Sequence, residues 1–154
     1  MVVAHDYTIL RHKEGVVRVG AVKYDLSDLS DNHVHLSNHC IAATHPDYGK
    51  YEGEPTNEVF FARFRLWLAE AKPGTDFDRD VLPQIDRITT HTLLAAKHEL
   101  ETADYQAATT VSFQLWGLDF LLDADCGVTL LEANVSPACA DGLLPFFAED
   151  FVEV

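Results

Sequence analysis

The sequence is short of positive charge. Its 11 Lys and Arg residues stand against 25 Asp and Glu, which gives a formal net charge of −14. A surface of this kind repels phosphate backbones, so we expect no nucleic-acid partner. Any anionic ligand must therefore be recruited locally, by arginine, by backbone N–H groups or by a metal ion.

Long hydrophobic runs are missing as well, and cysteine is scarce. No apolar stretch approaches the roughly 20 residues that a membrane-spanning helix needs, so we expect no membrane partner. The first residues do not show the charged and then apolar pattern of a secretory signal. Cys40, Cys126 and Cys139 are irregularly spaced, which argues against a disulfide framework and favours a reducing compartment. We therefore expect a cytoplasmic protein.

The residues that are present suffice for one packed domain. Hydrophobic residues make up 47% of the 154 residues, and nine are phenylalanine. The pattern predicts two strands around a turn at Glu14 and Gly15, then a long loop over residues 20–55 with short strand pieces. Further strands are expected over residues 111–123 and 128–134. With the helices described next, this order predicts an α+β domain, an antiparallel β-sheet with helices packed on it.

Helical spacing of apolar residues appears three times after the loop. The first helix is predicted from residue 57 to 71, with Asn57 or Thr56 as its N-cap. The second covers about residues 80–100, with Pro83 in its first turn and Asp78 or Asp80 as its cap. A final helix is expected over residues 140–154, interrupted at Pro145.

A β-hairpin is predicted between the last two strands. Its turn falls at residues 124–127, where the final glycine can take a left-handed conformation. Asp123 then faces Val128, and the same register places Asp119 opposite Glu132, with Cβ atoms roughly 4.5–5.5 Å apart. The residues expected to be buried on the other face are Phe120, Leu122 and Leu131.

Two acids and an amide share the exposed face of this hairpin. Like charges at such a distance destabilise a sheet, and Asn134 follows Glu132 two residues later on the same side. Hard oxygen ligands of this kind select Mg²⁺, Mn²⁺ or Ca²⁺, and Mg²⁺ on one or two carboxylates usually shares its sphere with phosphates. The alternative is a hairpin whose acids are simply solvated.

The hairpin sequence resembles a known family. Phe113-Gln-Leu-Trp-Gly-Leu-Asp-Phe, followed by Leu131-Glu-Ala-Asn-Val-Ser-Pro, is similar to the motif Phe-x-x-Phe-Gly-x-Asp-Phe … Glu-Val-Asn-x-x-Pro of tubulin tyrosine ligase and its relatives. The resemblance implies that Asp119, Glu132 and Asn134 hold Mg²⁺ against the phosphates of ATP. It also implies the C-terminal part of an ATP-grasp fold.

Two more segments resemble that family. His35-Leu-Ser-Asn is similar to its His-Leu-Thr-Asn motif, which lies against the nucleotide. Lys13-Glu-Gly-Val-Val-Arg is similar to its Arg-Glu-Gly-x-x-Arg, whose second arginine reaches the transferred phosphate and the acceptor carboxylate. Arg18 holds that position, and its guanidinium can pair with either anion. The histidines around His35, with Cys40 nearby, also allow a zinc interpretation, although their spacing does not match structural zinc sites.

The resemblance implies an ATP- and Mg²⁺-dependent ligase that adds a free amino acid to the C-terminal tail of tubulin, through an acyl phosphate. The match that runs on to Tyr48-Gly-Lys-Tyr-Glu-Gly points to tyrosine as that amino acid, and tubulin as partner implies association with the microtubule cytoskeleton. Arg18 and Glu132 are the expected catalytic residues. The expected ATP- and metal-contacting residues are His35, Leu36, Ser37, Asn38, Asp119, Leu131, Glu132 and Asn134.

The resemblance covers only the later half of that catalytic region. We therefore expect residues 1–154 to form a single partial domain without the N-terminal lobe that clamps ATP, inactive as a ligase alone. Apolar surface left uncovered predicts self-association. The alternative is a non-catalytic interaction module derived from an ATP-grasp enzyme.

Overall fold

The computed structural model describes residues 2–3, 7–49, 56–100 and 113–152. The chain contains helices and small antiparallel sheets, so the fold class is α+β, as predicted. The strands are β1 (Val2–Val3), β2 (Ile9–Leu10), β3 (Val16–Arg18), β4 (Glu58–Phe60), β5 (Gln114–Leu115), β6 (Gly117–Leu122) and β7 (Val128–Asn134). The helices are α1 (Asn32–His35), α2 (His39–Ala42), α3 (Phe61–Ala71), α4 (Leu82–Ala95), α5 (Lys97–Leu100) and α6 (Leu144–Val152).

The described strands form three small antiparallel sheets rather than the single sheet that was expected. Their orders are β2-β1-β5, β3-β4 and β6-β7. The two strands on either side of Glu14 and Gly15 are present, but they do not pair with each other. β2 pairs with β1, whereas β3 pairs with β4, which lies some forty positions further along the chain.

The predicted start of the first helix at residue 57 is wrong. Residues 58–60 form β4, whose backbone groups pair with β3, and α3 begins only at Phe61. The helix is capped from a distant turn, since the Phe61 N–H donates to Glu14 Oε1 at 2.8 Å and to the Gly15 carbonyl at 3.1 Å. A Cβ on Gly15 would lie 2.5 Å from the Phe61 ring, so this close approach requires glycine.

The predicted second helix is divided. A π-helical turn at Phe77–Val81 comes first, and Asp76 caps it by accepting from the Arg79 N–H at 2.8 Å, in place of Asp78 or Asp80. α4 follows, with Pro83 in its first turn as predicted, and a break at residue 96 separates it from α5. The final helix, α6, begins only at Leu144, so Pro145 lies in its first turn, and residues 141–143 of the predicted helix form a turn.

The described part of the long loop contains short helices where strand pieces were expected. Asp31 accepts from the His33 N–H at the start of α1, and Asn38 accepts from the Cys40 N–H at the start of α2. Side-chain caps of this type favour a helical turn over extended backbone.

The main core lies between the helices and the turn end of the β6–β7 hairpin. Its buried members are Leu68, Phe77, Val81 and Cys126, and partly buried Leu122 and Val128 of the hairpin pack against them. The hairpin is therefore fixed on the helical layer by one end. None of the helices in the described ranges is long and apolar enough to cross a membrane.

Candidate functional site

The β6–β7 hairpin places Asp119 directly opposite Glu132, as predicted. Near the turn the register differs from the prediction, because Leu122 rather than Asp123 faces Val128. A bulge after Asp119 adds one residue to β7, and this shift restores the pairing of the two acids.

The added residue is Leu131, and its predicted burial is wrong. Leu131 is 62% exposed, whereas Phe120 and Leu122 on β6 are partly buried as expected. A bulge breaks the strict alternation of faces along a strand, which is the rule on which the prediction depended.

The hairpin turn is shaped by the side chain of Asp123. Its Oδ1 accepts from the Asp125 N–H at 2.8 Å and from the Gly127 N–H at 2.7 Å. Cys126, not Gly127, has the left-handed backbone, with φ of 64°. Gly127 is needed for another reason, since a Cβ there would lie 2.6 Å from Asp123 Oδ2.

Glycine is also required at the open end of the hairpin. A Cβ on Gly117 would lie 2.4 Å from the Cβ of Pro137, so the segment after β7 folds back across the first residue of β6. Gly117 pairs with Asn134. Gly117 thus leaves room for Pro137 to pack against the strand position that pairs with Asn134.

Asn134 lies on the same face as Glu132. Its Nδ2 donates to Glu132 Oε1 at 3.1 Å, so its Oδ1 is the atom of the amide that can bind a cation. All three side chains of this acidic set, Asp119, Glu132 and Asn134, are exposed to solvent.

The pKa of Asp119 is raised above its usual value of 3.8. Loss of hydration around the carboxyl group is the largest cause, and the hydrogen bond with Glu132 and the charge of Glu132 add to it, while Arg18 opposes them. Ionisation of both acids is therefore unfavourable, and a bound cation would stabilise the ionised pair.

Arg18 lies near this acidic pair. It ends β3 directly opposite Glu58 of β4, and its Nε is 3.7 Å from Glu58 Oε1. The charge of Arg18 acts on the pKa of Asp119, as noted above. Arg18 thus pairs with Glu58 and lies within Coulomb range of Asp119, and its other N–H groups can bind a further anion.

The His35–Asn38 loop joins α1 to α2, and several of its groups contact neighbouring segments. His35 Nε2 is 2.5 Å from the Asp28 carbonyl, and its ring meets Tyr24 edge to face at 5.4 Å. Asn38 caps α2, and Leu36 is exposed. The Ser37 carbonyl accepts from Asn57 Nδ2 at 2.7 Å, which ties the loop to the start of β4.

Sequence reasoning missed two residues of this region, Asn57 and Glu58. It treated Asn57 as a helix cap, whereas Asn57 is fully buried and Glu58 pairs with Arg18. The stretch Asn57-Glu-Val-Phe-Phe is part of the family resemblance and was the available signal. It did not reveal their contacts, because the partners lie some twenty to forty positions away.

The zinc interpretation gains no support from the geometry. Within the described residues, no three His, Cys, Asp or Glu side chains are grouped so that they could hold a metal ion. His33 and His45 approach each other at 5.0 Å, but the nitrogens of His33 face Asp31 and Thr44. The acidic set differs in kind, because its third member is an amide.

The fold and the site together define a class, an α+β domain that presents two carboxylates and an amide on a rigid hairpin beside an arginine. The family model described as "Tubulin-tyrosine ligase family" matches residues 1–145. The chain belongs to this family.

Individual relatives agree with that assignment. The chain is 29% identical over 127 residues to a probable tubulin polyglutamylase, TTLL9, of Bos taurus, covering 82% of this chain and 25% of that protein. It is 33% identical over 137 residues to a probable tubulin polyglutamylase, TTLL2, of Homo sapiens, with 85% and 21% covered. It is 29% identical over 155 residues to the tubulin monoglycylase TTLL3 of Danio rerio, with 96% and 19% covered. The chain spans a quarter or less of the length of these relatives.

Proposed function

We propose that the chain forms the Mg²⁺- and phosphate-binding end of a ligase that uses ATP to join an amino acid to a tubulin tail. The observation that carries this proposal is the acidic set, with Asp119 opposite Glu132 and Asn134 bonded to Glu132. Relatives whose names state tubulin polyglutamylase or glycylase activity support tubulin as the substrate.

The donor set fits Mg²⁺. Asp119, Glu132 and Asn134 offer hard oxygens, and loss of hydration together with Glu132 raises the pKa of Asp119 despite the charge of Arg18. When bound, Mg²⁺ would neutralise the phosphate oxygens of ATP. The His35–Asn38 loop would lie against the nucleotide, and the fold would be the C-terminal part of an ATP-grasp enzyme.

Arg18 has the charge and position for the acyl-transfer step. In the proposed reaction, the terminal phosphoryl group of ATP passes to a tail carboxylate and ADP leaves. The amine of the amino acid then attacks the carbonyl carbon of the resulting acyl phosphate, phosphate leaves, and an amide is formed. The Arg18 guanidinium would pair with the anionic oxygens that develop in both steps.

The first test is thermal melting with and without Mg²⁺–ATP. A ligand that binds only the folded chain stabilises it by about 2.7 kcal/mol at roughly 100 times its Kd. We expect a stabilisation that requires both Mg²⁺ and ATP and that is lost in Glu132→Gln, which keeps the shape and removes the charge. Glu149→Gln, an exposed change on α6, should leave it intact. Equal shifts in both variants would contradict the proposed site, and no shift in any protein would favour the non-catalytic module.

The amino acid is tested separately, by adding it to the Mg²⁺–ATP complex. The motif similarity favours tyrosine, whereas the names of the relatives state glutamate and glycine chemistry. We expect L-tyrosine to stabilise the complex further. Stabilisation by glutamate or glycine instead would assign the chain the specificity of those relatives.

A further inference from the structure

We propose that Asn57 is a positioning residue that fixes the His35–Asn38 loop to the strand carrying Arg18. This inference rests on the proposed function, because it assumes that the loop and Arg18 serve the same nucleotide. Asn57 itself would not contact the nucleotide; it acts through the backbone of the residues that it holds.

Three hydrogen bonds join Asn57 to two partner residues. Its Nδ2 donates to the Ser37 carbonyl at 2.7 Å and to the Val19 carbonyl at 3.3 Å, and its own carbonyl accepts from the Val19 N–H at 2.9 Å. Val19 directly follows Arg18 in the chain. One buried amide therefore joins the middle of the loop to the residue after the active-site arginine.

An amide is the group that this position needs. Two carbonyls from separate segments converge on Nδ2, and both hydrogens of the NH₂ group are required to satisfy them. Asn57 Oδ1 is buried and has no hydrogen-bond partner within the described part of the chain. An apolar side chain would avoid that unmet oxygen but would leave both carbonyls without a donor.

Asn57 also links the loop to the charge pair beside it. The next residue, Glu58, pairs with Arg18 across β3 and β4, and its side chain is only 15% exposed. Asn57 thus fixes the position of the loop, and Glu58 fixes the position of the Arg18 guanidinium. A loss of the Asn57 bonds should release the loop while the β6–β7 hairpin keeps its place.

The test uses Asn57→Asp, which keeps the shape and removes both donors, and Asn57→Ser, a milder change that keeps one hydroxyl donor. Thr89→Val is the matched control, at a buried polar residue of α4. Each protein is compared, well below its melting temperature, by amide hydrogen exchange over residues 33–40 and 128–134. The Kd for Mg²⁺–ATP is measured on the same samples.

Both Asn57 variants should melt earlier, whereas Thr89→Val should not, because the Thr89 hydroxyl is buried without a hydrogen-bond partner in the described part of the chain. We expect Asn57→Ser, and Asn57→Asp if it folds, to exchange faster at residues 33–40 only and to bind Mg²⁺–ATP about tenfold more weakly. Thr89→Val should change neither. Unchanged loop exchange, or a Kd within about twofold of the parent, would overturn the proposal. If the parent itself does not bind Mg²⁺–ATP, the proposed function fails, while the exchange comparison still decides whether Asn57 holds the loop.

Discussion

The two ends of the β6–β7 hairpin differ in what they contribute. At the turn end, Leu122, Cys126 and Val128 pack on the helical core. At the open end, Asp119 faces Glu132, and loss of hydration together with this neighbour raises the pKa of Asp119. The packed turn end therefore acts as a rigid scaffold, which holds together at the open end two acids that would not stay together without it.

The turn end is also fastened by polar groups. Gln84 of α4 donates to the Cys126 carbonyl at 2.9 Å and accepts from the Val128 N–H at 3.3 Å. Lys72, after α3, donates to the Ala124 carbonyl at 2.5 Å. These contacts satisfy backbone groups of the turn that would otherwise lack partners.

The largest effect should come from the core beneath the turn end. Phe77 is 3% exposed and meets the rings of Phe61 at 4.8 Å and Phe64 at 5.7 Å. Phe77→Ala should lower the free energy of unfolding in urea by about 3–5 kcal/mol, because it leaves a cavity. Phe146→Ala, at a 62% exposed position on α6, should cost about 0.5 kcal/mol or less. Similar losses in the two variants would mean that the core does not lie under the turn.

A smaller effect should distinguish the polar ties at the two ends. Gln84→Leu removes both bonds to the turn and should lower the free energy of unfolding by about 1–3 kcal/mol. Gln114, whose Nε2 donates to the Val135 carbonyl at 2.7 Å, is the exposed counterpart at the open end. Gln114→Leu should cost about 0.5 kcal/mol or less, because water can replace the lost bond. The reverse order in a urea titration would contradict the contrast between the ends.

The smallest effect has the opposite sign. Asp119→Asn relieves the repulsion with Glu132 and should raise the free energy of unfolding at pH 7 by about 0.2–1 kcal/mol. The same variant should lose the Mg²⁺-dependent stabilisation. Asp125→Asn, an exposed acid in the turn, is the control and should retain it.

The gain from Asp119→Asn should depend on pH in a defined direction. The folded chain binds the Asp119 proton more tightly than the unfolded chain, because the pKa is raised from 3.8 on folding. Above the raised pKa, the ionised Asp119 carboxylate therefore lowers the free energy of unfolding. This loss disappears as the pH falls from the raised pKa towards 3.8. Melting of parent and variant should converge over that range, and a difference that grows on acidification would contradict the cause assigned here.

The pairing of Asp119 with Glu132 could be predicted from sequence because it depends on local features. A four-residue turn and strict alternation predict this pairing, although the observed turn has one more residue and a bulge adds one residue to β7. The detail failed at Leu131 and at Cys126, since a bulge and a side-chain-capped turn are not visible in the alternation of residue types. Two errors of register cancelled, so the acids met as predicted.

Other predictions failed where the partner is distant in the chain. Apolar residues 59, 60, 64, 67 and 68 have helical spacing, yet Val59 and Phe60 belong to β4 because β3 supplies their backbone partners. The cap of α3 likewise comes from Glu14, not from Asn57 or Thr56. A local sequence pattern does not predict hydrogen bonds that form only when two remote segments meet.

The sequence by itself determined the family, the α+β class and the acidic set, because short motifs and residue alternation encode them over a few neighbouring positions. The tertiary structure alone decided how the pieces of the site are joined. It placed Arg18 beside Asp119, paired it with Glu58, and tied the His35–Asn38 loop to both through one buried amide. The physical reason is that these contacts link segments up to a hundred positions apart, and only packing of the whole domain brings them within hydrogen-bonding or Coulomb range.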